Sequence, residues 1–249
     1  MAQTDRSYMG KGTIYLKRRG GSTGLIPVGN CSALEISFEE EKKEQKDYTS
    51  PGGGNTNVVS RIDNVTGSLT VLDITADNLA LGLRGAVTTE AGGNTVTDEL
   101  IAATGADGEL LPFAFVPDTT IITVTDAVNS TALTEGVDYD ITPNGITVIG
   151  SGAISNNGVH ATYDKAPQEV LQALVEAGQE FTLFFDGLNE AQSGKAVAVT
   201  LHRIKFSPVQ GLPFIGDEFA EATMEFEVLS DNTITGAGIS RFMKVVQAV

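Results

Sequence analysis

Three side chains offer the near-neutral acid–base or nucleophilic chemistry on which most enzymes rely. They are Cys31, His160 and His202, the whole complement of cysteine and histidine in 249 residues. A nucleophile needs a base beside it, and a zinc site needs about four His, Cys or carboxylate ligands. Cys31 follows Asn30 at a turn and carries no signature of a catalytic thiol. His160 and His202 each sit in a strand-like pattern with polar neighbours, the setting of an ordinary surface or half-buried histidine. Gly52-Gly53-Gly54 is not followed by Lys-Ser or Lys-Thr and opens no helix, so it lacks the parts of a phosphate loop. Glu39-Glu40-Glu41 is acidic enough to attract a cation. A calcium loop, however, spaces its carboxylates around a glycine turn. With Lys42 and Lys43 behind it, the run reads as a solvated strand edge. Asn64-Val65-Thr66 and Asn129-Ser130-Thr131 match glycosylation sequons, which matter only in a secreted protein. No catalytic set, cofactor or metal site is expected, which leaves a structural or binding role.

Composition points the same way. Asp and Glu number 32 against 16 Lys and Arg, a net charge of −16. A protein that grips nucleic acid displaces counterions with Lys and Arg, and this chain would repel a polyphosphate. A single Cys permits no intrachain disulfide, and a chain of this length can bury a core without one. The opening MAQTDRSYMGKG is polar and is not expected to act as a secretory signal. No apolar run approaches a membrane span, so cytosolic synthesis without membrane insertion is expected. Trp is absent and Gly numbers 28, the flavour of a turn-rich β protein.

The elements are mostly of period two. Gly12 to Lys17 places Ile14 and Leu16 on one face. Ala33 to Glu41 places Leu34, Ile36 and Phe38 on one face and Glu35, Ser37 and Glu39 on the other. The text SPGGGNTN from Ser50 to Asn57 predicts a long flexible loop, and strand character resumes from Val58 to Leu72. Thr75 to Gly85 predicts a short helix, capped by Thr75 or Asp77 and ended by Gly85. Pro167 to Gly178 predicts a second, with Pro167 at its first position and Val170, Leu171, Leu174 and Val175 as its apolar stripe. Short strands and turns fill Leu110 to Asp164, with Asn144-Gly145 marking a hairpin. The apolar phase slips between Leu201 and Ile204, predicting a β-bulge near His202-Arg203. Phe219 to Asp231 alternates, with Glu221, Glu225 and Glu227 on its polar face, and Ile239 to Val246 supplies a last strand. The expected fold is all-β, a sandwich or barrel of about a dozen strands with two short helices and a small β lobe inserted in the middle. The expected division is 1–108, a lobe at 109–165, and 166–249.

Three stretches carry a resemblance: GKGTIYLKRRG, VGNCSALEISFEEEKKEQKDYTSPGGG and LTVLDITADNLALGLRG. With Ala173 to Gly187 and LHRIKFSPVQGLPFIGDEFAEATMEFEVLSD, this ordered series resembles major tail tube proteins of long, non-contractile (siphovirus-type) bacteriophage tails. The resemblance covers most of the chain and is weakest from Ala86 to Gly108. It implies a β-sandwich subunit in stacked hexameric rings that form the tail tube of a virion, assembled in the bacterial cytoplasm. It implies as partners further copies of the chain, a tape measure protein inside the tube, and tail terminator and distal tail or baseplate proteins. Double-stranded DNA would pass through without specific binding.

Carried onto this sequence, the inter-ring loop spans 47–57: Asp47, Tyr48, Thr49, Ser50, Pro51, Gly52, Gly53, Gly54, Asn55 and two residues beyond. The bridging arms are Met1 to Gly10 and the residues after Arg241. An electronegative lumen lets DNA slide, and the acidic strand faces make Glu35, Glu39, Glu221, Glu225 and Glu227 its candidate lining. The alternatives are a capsid decoration or tail-tip protein, or a carbohydrate-binding β module. The absence of Trp, and aromatics that fall mostly on apolar faces, weigh against a sugar platform.

Overall fold

The computed structural model describes residues 6–49, 51–150 and 153–248. It contains sixteen strands: β1 (Gly10–Arg18), β2 (Ile26–Pro27), β3 (Cys31–Lys46), β4 (Asn55–Val71), β5 (Ala86–Glu90), β6 (Thr95–Ile101), β7 (Leu110–Pro112), β8 (Pro117–Asp126), β9 (Tyr139–Thr142), β10 (Gly145–Val148), β11 (Val159–Lys165), β12 (Gln168–Gln172), β13 (Glu180–Asn189), β14 (Lys195–Phe206), β15 (Ala222–Val228) and β16 (Met243–Gln247). One α-helix, α1 (Ala76–Leu83), follows β4. The fold is all-β, and the pairings within its largest sheet are antiparallel.

The chain forms two compact units, residues 1–86 with 171–249 and residues 87–170. The inserted unit is therefore wider at both ends than the lobe expected at 109–165. The low-complexity text from Ala86 to Gly108 supplies β5 and β6, and β6 pairs with β11 inside that unit.

In the inserted unit, sheets β7-β10-β9 and β6-β11-β8 both contribute to one core. Leu111 and Ile146 come from the first, and Val124, Val159, Ala161 and Tyr163 from the second. Tyr163 stacks on Phe113 at 4.5 Å and donates its hydroxyl to Glu99 Oε2 at 2.6 Å, so the one polar atom of that side chain is satisfied inside the core. The hairpin expected at Asn144-Gly145 forms between β9 and β10. Thr142 pairs with Gly145, which makes Pro143 and Asn144 the two turn residues.

The larger unit is one sheet in the order β2-β1-β13-β14-β15-β4-β3, with β16 also on β14. Ile14 and Leu16 near one end of that order share a buried cluster with Leu69 and Val71 near the other. A flat single layer cannot cover its own face, so the sheet curls around its apolar side. Of the two caps the sequence offers, Thr75 caps α1 through its side chain and Asp77 lies in the first turn. At Gly82 a Cβ would sit 2.3 Å from Val209 Cγ2, in the segment after β14, and 3.3 Å from Met224 Sδ of β15, so the helix packs closely there.

The expected helix from Pro167 to Gly178 does not form. Residues 168–172 are β12, paired with β5, and Leu174 takes a left-handed φ of 59°. The amides of Leu174 and Glu176 donate to the carbonyls of Leu83 and Arg84. They thereby satisfy acceptors that the C-terminus of α1 leaves open. Leu174 and Val175, expected in an apolar stripe, stay 72 % and 60 % exposed.

The bulge expected near His202-Arg203 is present. Phe181 pairs with Ile204 and Leu183 with Leu201, so three steps on β14 oppose two on β13. Here β14 exchanges its outer partner, from β16 at Val197–Leu201 to β15 at Ile204–Phe206. The His202 carbonyl accepts from Thr182 Oγ1 at 3.0 Å and from Arg19 at 3.1 Å. Arg203 holds Glu180 in a two-pronged bond of 2.8 and 2.5 Å, and Arg19 reaches Asp231 at 2.6 Å. Asp231 is buried, and its carboxyl is pulled down to about 2, first by the Thr233 hydroxyl and backbone amide and then by Arg19.

A depressed carboxyl stabilises the fold fully above its unfolded value of 3.8, and that contribution disappears as pH falls from there through about 2. Glu180, lowered chiefly by Arg203, acts in the same direction. Asp231→Asn should therefore be less stable than wild type at pH 7 and show a flatter loss between pH 4 and 2. Urea titrations across that range check this, and parallel curves for the two proteins would overturn it.

Candidate assembly surface

The longest strands in the molecule are β3 and β4, with 16 and 17 residues. They pair in register from Cys31–Val71 to Lys46–Asn55. On its other side, β4 meets β15 only over residues 66–71. The rest of the hairpin leaves the sheet as a two-stranded arm, and among the described residues neither of its outer edges is paired. Eight residues from Glu39 to Lys46 carry it roughly 25 Å at about 3.3 Å each.

The loop expected at 47–57 is shorter than predicted. Asn55 pairs with Lys46 and opens β4, and Thr56 and Asn57 continue it. The Asp47 amide donates to the Gly54 carbonyl at 2.7 Å, and Asp47 Oδ1 accepts from the Thr49 amide. Gly52, Gly53 and Gly54 all have positive φ, which only glycine adopts freely. The glycine run thus makes a tight return, with Tyr48 89 % exposed beside it. Pro51 lies in this turn. Ser50, Met1 to Asp5 of the N-terminal arm, and Val249 lie outside the described residues.

A register shift between Glu39 and Glu40 gives β4 one extra residue, Asp63. Its effect is to keep the faces in phase. Leu34, Ile36 and Phe38 of β3 share the core side with Val65, and beyond the shift Ile62 and Val58 continue on that same side. Phe38, Ile62 and Val58 are 57 %, 58 % and 47 % exposed. Glu40 and Glu44 share the rows of Ile62 and Val58, so the exposed apolar side chains of this unpaired ribbon alternate with charged ones.

The opposite face is polar. Glu225 pairs with Ser68, which pairs with Glu35; Glu227 pairs with Thr66, which pairs with Ser37. Thr70 and Thr223 join by their hydroxyls at 3.1 Å. No Lys or Arg occurs within Cys31–Glu39, Asn64–Val71 or Ala222–Val228. An open depression of about 410 Å³ lies here, lined by Glu35, Glu225 and Glu227 among others. Three of the five sequence-chosen glutamates therefore come together. Glu39 pairs with Asn64 on the same side at the base of the arm. Glu221 lies outside β15, exposed in the segment before it, so the strand expected from Phe219 begins only at Ala222. The sequence reading missed Lys205, which pairs with Glu227 from β14 and bounds the acidic patch.

The residues first weighed for chemistry are placed apart. Burial, reinforced by Asp73, pushes the Cys31 thiol up to about 11, which keeps it protonated near neutrality. His160 Nδ1 lies 3.2 Å from the Asp98 carbonyl in the inserted unit. His202 occupies the β14 bulge. Among the described residues, no three of His, Cys, Asp and Glu gather closely enough to hold a metal ion. Nor is any described helix long and apolar enough to cross a membrane.

Residues 7–246 match the model of the family described as protein of unknown function UCP028589. The chain belongs to that family. No curated protein matches it. The match runs through both compact units and includes the whole arm and the acidic face.

Proposed function

We propose that this protein is a structural subunit of a bacteriophage tail tube, built from stacked hexameric rings of the same chain and conducting DNA through an electronegative lumen. The observation that supports this reading most directly is the β3–β4 arm. It is a long ribbon with two open edges and uncovered apolar side chains, and it is completed by pairing with another chain. Joining such edges between copies removes them from solvent, as closure does in any barrel. The face bearing Glu35, Glu225 and Glu227 supports the lumen assignment, with Glu39 at its margin. Its own three strands carry no Lys or Arg and Lys205 of β14 stands at its border, so that face offers phosphates little positive charge to bind. Repulsion acts over a Debye length of about 8 Å, so DNA travels centred and unbound. In the virion, the further partners are a tape measure protein during assembly and the proteins that cap the tube's two ends.

Negative-stain microscopy of the concentrated protein tests the assembly reading: rings or tubes are expected, and a dispersed monomer at every concentration would sink it. The lumen assignment has its own test. Glu225→Lys with Glu227→Lys should leave tubes intact while slowing DNA release from virions carrying the variant. Unchanged ejection kinetics would move the lumen to another face.

A further inference from the structure

α1 ends on a left-handed residue, and that residue is Arg84, with φ 47° and ψ 46°. Glycine takes this conformation freely, and an L side chain does so at a cost. Gly85 stands next in sequence but is not the left-handed one. Its missing Cβ serves a close approach instead, since a Cβ there would lie 2.6 Å from Leu171 Cδ1 and 2.7 Å from the Gln172 carbonyl oxygen. Strain placed on a charged residue, with a glycine beside it, points to a role for the charged side chain.

The Arg84 guanidinium is poorly satisfied. Its Nε is buried without a hydrogen-bond partner, and Nη2 donates to the Phe206 carbonyl only at 3.4 Å. A buried N–H left open costs free energy. A second cation comes to the same place. A Cβ built on Gly178 would lie 2.6 Å from Lys205 Cε and 3.3 Å from Arg84 Cζ, so the two side chains close on one another over that glycine. Both are half-buried. Among the described residues, neither forms a salt bridge. The carboxylates nearby are engaged elsewhere. Glu176 pairs with Arg18 and accepts from Gln179. Glu180 is gripped by Arg203, and its carboxyl is lowered first by that hydrogen bond and least by Lys205. Glu227 lies opposite Lys205 on β15 but is exposed.

We propose that Arg84 and Lys205 hold one inorganic oxyanion of the phosphate class over Gly178. Lys205 supplies a compact positive charge, and Arg84 supplies a flat fork whose Nε–H is open to an oxygen. Two positive charges match a dianion, which favours phosphate or sulfate over a single carboxylate. The ion ties the end of α1 to β14 and to the segment that enters β13. The site lies wholly within the larger unit, so it stands whether or not the subunit assembles.

Thermal melts and isothermal titration with sodium phosphate test this, at fixed pH and with ionic strength held constant by chloride. Wild type should bind one phosphate per chain, and its melting temperature should climb with phosphate concentration. Arg84→Gln and Lys205→Gln keep the side-chain length and lose the charge. Each should weaken binding at least about tenfold, one decade in Kd. Arg84→Gly should melt higher than Arg84→Gln without phosphate, because glycine relieves the left-handed strain, and should gain nothing when phosphate is added. Sulfate should replace phosphate, and a short DNA duplex, whose phosphates are singly charged diesters, should not. Wild type that melts at the same temperature in phosphate and in chloride overturns the site. So does Lys205→Gln that gains as much as wild type, a result that decides even if Arg84→Gln does not fold. Duplex binding lost in the same variants would assign the pair to nucleic acid and overturn the free-ion site.

Discussion

A protein lacking Glu40 to Asp63, with Glu39 joined to its strand partner Asn64 through Asn-Gly, is expected to fold normally and remain monomeric at any concentration. No described residue in that stretch is buried, so its excision removes none of the core. The Asn-Gly pair supplies the left-handed conformations that a two-residue hairpin return requires. Stability should fall by less than about 1 kcal/mol, since exposed residues away from caps and networks contribute little. Assembly, by contrast, should disappear, because the excision takes the arm's share of both unpaired edges and most of its exposed apolar side chains. Urea unfolding and light scattering on the same sample separate the two effects. Long assemblies formed by the shortened protein would show that the arm is not the joint. Shortening only Gly52 to Gly54 is a milder form of the same test, since those glycines make the return at the end of the ribbon.

The second large effect is expected at Gly67. It pairs with Ile36 on one side and Phe226 on the other. A Cβ added there would lie 2.4 Å from Phe226 Cζ and 2.6 Å from the Glu35 carbonyl oxygen. The ring could turn away, but the carbonyl belongs to the β3–β4 ladder and cannot retreat without breaking it. Gly67→Val should cost about 3 kcal/mol, at the upper end of ordinary overpacking. Gly67→Ala should cost less, and adding Phe226→Leu should restore part of the loss by relieving the ring contact alone. Equal urea midpoints for Gly67→Val and wild type would contradict this packing. Glu35, Ser68 and Glu225 lie in the row beside Gly67, so the same change would also disturb the acidic face.

Strand alternation made the sheet legible because one face of each strand is buried. β15 alternates buried and exposed without a break, and its text, ATMEFEV, says as much. The bulge at His202-Arg203 was legible for the same reason: an inserted residue shifts the apolar phase, and the shift is written in sequence. The helix expected at Pro167 to Gly178 was misleading. Its local pattern is sound, but β5 and the end of α1 offer those residues hydrogen bonds that a lone helix would forgo.

The arm was half legible. Gly52 to Gly54 announced a return, but Lys46 and Asn55 lie beyond any buried surface, so no hydrophobic period extends to them. Of the glutamates, Glu35, Glu225 and Glu227 share a face because each stands in a regular strand. Glu221 looked equivalent by parity, but the strand had not yet begun. The ion pairs around Asp231 could not be read in advance, since they join residues 212 apart in sequence.

The extra residue at Asp63 has a consequence for how related chains can differ. Removing Asp63 would put Ile62, Ser60 and Val58 out of phase with Phe38 and Val65 and turn them to the other side of the ribbon. A further shift between Gln45 and Lys46 leaves Thr56 as an extra residue of β4 near the tip. Residues gained in equal number by both strands there would lengthen the ribbon by about 3.3 Å each and leave the apolar side where it is. Reach is thus free to vary among relatives, whereas the inserted position at the base is not.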